Sequence, residues 1–76
     1  MELADLVVAV ADDLKSDGLD AWSERLLTAS NGVFNNTELV MKWRFHTEHI
    51  LRLKSLSERT REHANALFEM LDRVLQ

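Results

Sequence analysis

Apolar residues recur along this chain at the three-to-four-residue spacing of amphipathic helices, and the rhythm breaks only at clusters of turn formers. Leu3, Val7, Val10 and Leu14 step by four, three and four, which predicts a helix from Glu2 to Ser16 with Asp5, Asp12 and Asp13 facing away. Gly18 supplies the left-handed backbone position that closes such a helix, and Asp20 is placed to cap the next one by accepting from its free N–H groups. The second helix is expected from Asp20 to Ala29, with Trp22, Leu26 and Ala29 on one stripe. Ser30 to Asn36 has no helical period and is rich in Asn and Gly, so it reads as the longest loop, with Val33 and Phe34 tucked onto the core.

Asn35 followed three residues later by Glu38 has the form of a capping box, with Asn36 and Thr37 as competing caps. From there Leu39, Trp43, His46, Ile50 and Leu53 predict a long third helix ending near Lys54. Ser55 or Ser57 restarts the pattern, and Thr60, Ala64, Leu67, Leu71 and Val74 carry a fourth helix almost to Gln76. Its apolar face is widened by His63 and Met70 on one side and by Phe68 and Leu75 on the other, which implies more than one neighbour. The expected fold is all-α: a compact four-helix arrangement with two short N-terminal and two long C-terminal helices. It forms one domain over residues 1–76, with sequence neighbours antiparallel. A three-helix version, with the second helix reduced to a turn, is the alternative.

Gly18, Trp22, Glu24-Arg25 and Leu26 within the run Leu14 to Leu27, then Thr37-Glu38-Leu39 and Lys42-Trp43, form a framework over most of the chain. Together with the Leu67 to Leu75 segment, this framework resembles a group of small uncharacterised bacterial helical proteins. The resemblance implies a bacterial source and supports the helical fold, and it carries no function.

Composition narrows the functional classes. A chain of 76 residues without cysteine has no disulfide to support its small core. The acidic N-terminus does not read as a secretory signal, and the longest apolar run, Leu6 to Ala11, is too short for a membrane span, so a cytoplasmic location is expected. The net charge of -4 disfavours nucleic acid. Charge is unevenly spread: residues 1–24 are acidic, whereas Lys42, Arg44, Arg52 and Lys54 make the middle mildly basic. The simplest explanation is that an acidic helical pair folds back on a basic third helix.

The chemistry-bearing residues form no catalytic pattern. His46 and His49 lie within one turn of each other, and His63 is placed to approach from the fourth helix with Glu48 or Glu62 nearby. However, neither Glu-x-x-His nor His-Glu-x-x-His is present, so no metal, cofactor or enzyme activity is expected. The serines fall mostly at helix ends, where capping occupies their hydroxyls. A small nucleic-acid-binding regulator using the basic third helix is the alternative function, although its basic residues scatter around that helix.

One anomaly points elsewhere. Met41 and Phe45 lie nearly opposite Leu39 on the third helix, so they cannot pack under its core stripe. Either that helix is buried on two sides, or the pair is an exposed apolar patch that another chain covers. The expectation for function is a non-enzymatic protein-interaction domain that self-associates as a homodimer. Met41 and Phe45 would centre the contact, with Arg44, Glu48 and Arg52 as a polar rim.

Overall fold

A computed structural model of the chain describes residues 2–76. Four α-helices and one short 3-10 turn follow in the order α1 (Leu3–Ser16), α2 (Asp20–Leu27), the turn Thr28–Ser30, α3 (Asn36–Leu51) and α4 (Glu58–Leu75). No strand occurs among the described residues. The expected division into two short and two long helices holds only in part: α2 is short at 8 residues, but α1 has 14 against 16 for α3 and 18 for α4.

Local chemistry sets each boundary. After α1, Gly18 takes φ 77°, its N–H donates to the Lys15 carbonyl, and the Leu19 N–H reaches back to Leu14 at 2.8 Å. This pair of bonds is the Schellman closure, which satisfies two carbonyls that the helix end leaves free. A Cβ at Gly18 would meet nothing within 4 Å, so alanine there would pay only for the left-handed backbone, about 1 to 2 kcal/mol. We expect Gly18→Ala to lower the unfolding free energy read from urea titration by that amount and Gly18→Asn to lower it less; equal stability of wild type and alanine variant would contradict the closure.

Asp20 does not cap α2. The N-cap is Leu19, without a side-chain hydrogen bond, because the Schellman closure already turns the chain one residue earlier. At α3 the Asn35 side chain accepts from the Glu38 N–H at 2.8 Å, as the capping pattern predicts. At α4 Ser57 is the cap, its hydroxyl accepting from the Thr60 N–H at 3.3 Å. The third helix stops at Leu51 rather than near Lys54. Arg61 of α4 donates to the Leu51 and Leu53 carbonyls at 3.0 and 2.9 Å, which satisfies the chain as it leaves the helix.

The helix packed on two sides is α4, which lies against both α1 and α3, while α2 packs on α1. Both α4 pairings are antiparallel. Asp13 of α1 and Asp17 at its C-cap meet His63 and Thr60, and Arg44 and Leu51 of α3 meet Asp72 and Arg61. Leu6, Val7, Val10, Ala11 and Leu14 of α1 join Leu26, Val40, Ile50, Ala64, Leu67 and Leu71 in one core, with Leu3, Trp22 and Trp43 packed at its margin. Three expected core positions lie elsewhere. Phe34 is 92% exposed, Val74 is exposed, and Leu53 falls in the turn beyond α3.

The core stripe of α3 is also rotated from the predicted one. Val40, Thr47 and Ile50 are buried and Trp43 is half-buried, which moves the centre roughly 60° from Leu39. Thr47 tolerates burial because its hydroxyl donates to the Trp43 carbonyl at 2.7 Å.

Candidate functional site

With α4 on one side and only a thin contact from α2 and the 3-10 turn on the other, α3 leaves its remaining face open. Met41 and Phe45 stand on that face at 57% and 58% exposure. The structure therefore selects the exposed patch over burial of the third helix on two sides. Together with Arg44, Glu48 and Leu75 the pair lines a shallow depression of about 230 Å³. A second depression, of about 260 Å³, continues over Asn36, Thr37, Val40, Val74 and Leu75 at the end of α4. The apolar surface is thus built by two helices, with Val74 and Leu75 extending the α3 pair.

The expected rim separates into three situations. Arg44 donates from Nε to Asp72 at 3.2 Å, pairs with the same carboxylate at 3.1 Å, and lies over the Phe68 ring at 4.8 Å, so α4 fixes its position. Glu48 lines the depression with no ion pair of its own among the described residues. Arg52 stands at the C-cap of α3, one turn beyond Glu48 and outside the depression.

Phe45 is held from both sides along its helix. Its ring meets His46 edge-on at a centroid distance of 5.5 Å and His49 at 4.4 Å. His49 Nδ1 donates to the Phe45 carbonyl at 2.9 Å; because a carbonyl only accepts, that ring carries its proton on Nδ1.

The three histidines do not converge. His46 lines a separate groove between α2 and α3, His49 stacks on Phe45, and His63 faces α1. No group of three or more metal-ligating side chains forms among the described residues.

The acidic first helix does not fold onto α3 as its charge suggested; its inward acids meet α4. Asp13, only 9% exposed, accepts from His63 Nδ1 at 2.5 Å and pairs with Arg59 at 3.4 Å. It does not face away as the helix-one pattern had placed it. Asp17 Oδ2 accepts from the Ser57 N–H at 3.0 Å and from the Thr60 hydroxyl at 2.6 Å. Since the carboxylate takes Thr60's only hydroxyl proton, Ser57 is the donor in the 2.9 Å bond between the two hydroxyls. The carboxylate thereby caps the start of α4 from another helix, where backbone N–H groups favour negative charge.

Two titrations follow. Asp17 is held below its ordinary value by the Thr60 hydroxyl and then by the Ser57 backbone. His46 is held below its ordinary value first by desolvation and then by His49, Arg25 and Lys42. A depressed His is protonated more readily in the unfolded chain, so stability should decline as pH falls below 6.5. A depressed Asp contributes stability above 3.8 that is lost as pH falls through its lower folded value. Urea unfolding across this range should show two acid-side losses, with His46→Asn removing its share of the first. A midpoint unchanged from about pH 7 to pH 5 would contradict the His46 part.

No helix among the described residues is long and apolar enough to cross a membrane. No family model, curated protein or solved structure matches the chain.

Proposed function

We propose that this chain is a non-enzymatic helical interaction domain that works as a homodimer, pairing through Met41 and Phe45 of α3 and Leu75 of α4. The observation that carries this reading is the meeting of three large apolar side chains from two helices in one open depression, with Arg44 and Glu48 beside them. Water contact with such a surface costs about 25 cal/mol for each Å² of apolar area, which a covering partner recovers. A second copy is the occupant that needs nothing beyond the chain itself. In a two-fold pair each patch covers the other, and Glu48, which has no ion pair of its own among the described residues, lies at the edge of the contact.

The residue types suit the task. Phe45 offers a large area whose ring is already held by His46 and His49, so little freedom is lost on binding. Met41 adapts its shape to what it meets. Sedimentation equilibrium tests the proposal: the mass should rise with concentration towards twice the 8.8 kDa of the chain. A constant monomer mass from micromolar to millimolar concentration would overturn it.

A further inference from the structure

We propose that the groove between α2, the 3-10 turn and α3 binds a phosphate group carried by a small organic molecule, anchored by Arg25, Lys42 and His46. The groove, of about 360 Å³, is lined by Arg25, Thr28, Ala29, Lys42, Phe45 and His46. Three of these six are basic and none is acidic, in a chain whose thirteen acids outnumber its nine Lys and Arg. Among the described residues neither Arg25 nor Lys42 has a carboxylate within 4.0 Å, whereas Arg44, Arg59 and Arg73 each pair with one. The charged groups acting on His46 are all bases: His49, Arg25 and Lys42. Arg25 and Lys42 are thus free of direct ion pairs among the described residues, and an anion seated between them would supply one.

Arg25 is prepared for that task. Its guanidinium carbon lies 4.7 Å from the Trp22 ring centroid; stacking on an aromatic face leaves a guanidinium's in-plane N–H groups free to donate to phosphate oxygens. Ala29 and Phe45 add apolar surface, against which the organic part of the ligand would pack. A nucleic-acid backbone fits less well, because it requires cations along a track. Here they gather in one groove, while Arg44 is tied to Asp72 and Asp20 and Glu24 stand exposed on the adjoining helix. Arg25, Lys42 and His46 lie outside the apolar depression, and Phe45 stands on the ridge that lines both surfaces.

The experiment follows the His46 ring protons by NMR while the protein is titrated with inorganic phosphate, a nucleoside monophosphate and, at matched ionic strength, chloride. Both phosphates should shift the His46 resonances saturably and move its titration midpoint upward, with His63, which faces Asp13, unmoved. The nucleoside monophosphate should bind more tightly than inorganic phosphate. The Arg25→Ala/Lys42→Ala double variant should keep its helical circular dichroism and lose at least about tenfold in affinity. Shifts no larger than in chloride, or undiminished binding by the double variant, would overturn the site. Equal affinity for the two phosphates would overturn the organic ligand. Binding confined to random-sequence duplex, with steep salt dependence, would assign the groove to nucleic acid instead.

Discussion

Leu67→Ala is expected to cost about 3 to 5 kcal/mol and to leave much of the protein unfolded. Leu67 is fully buried on α4, the helix that α1 and α3 share. Truncating it opens a cavity between two interfaces at once, and Leu→Ala changes in such sites lose both transfer energy and packing. A domain this small has a total stability of about 5 kcal/mol, so little margin remains. Val8→Ala, at an exposed position of α1, should stay within about 0.5 kcal/mol of wild type. Urea unfolding followed by circular dichroism compares the two; a Leu67→Ala cost below about 1 kcal/mol would mean α4 is not the shared helix.

Phe45→Asp should leave the chain folded and abolish its pairing. In the subunit this residue is 58% exposed and opposite the buried stripe of α3, so a carboxylate there stays solvated and the helical signal persists. In the proposed dimer the same carboxylate would be taken out of water without a partner, which costs several kcal/mol. Association should weaken by about a hundredfold or more. Light scattering and circular dichroism on one sample read both effects. A variant that unfolds would place Phe45 in the core, and a folded variant with unchanged association would remove it from the interface.

Helix existence was legible because the apolar spacing and the Gly18, Asn35 and Ser57 punctuation agree with one another. Phase was less legible where a polar residue is buried with a local partner. Thr47 looks like a surface residue, yet its bond to the Trp43 carbonyl lets it occupy the core and turns α3 by roughly 60°. Asp13 was misjudged on charge alone, and Asp17 was given no place. They continue the row Leu6, Val10 at spacings of three and four, so helical geometry already aimed them inward. What the sequence does not print is their partners, Arg59, His63, Ser57 and Thr60, some forty to fifty residues away.

The candidate surface divides in the same way. Met41 and Phe45 stood out because their angle on α3 conflicts with any single core stripe, and rotation of that stripe places them more squarely on the open face. Leu75 and Val74 were missed because the α4 pattern continues past the point where α3 and α1 still cover it. Arg25 escaped notice because its neighbours in the groove, Lys42 and His46, come from another helix.

The most direct measurement is a dilution series followed by NMR on the Met41 methyl group and the Phe45 ring. Pairing through this surface should make the resonances of Met41, Phe45, Val74 and Leu75 move together with concentration, while those of Val8 and Leu27, exposed on α1 and α2, stay fixed. Spectra independent of concentration, or changes centred on Val8 and Leu27, would contradict self-association through α3 and the end of α4.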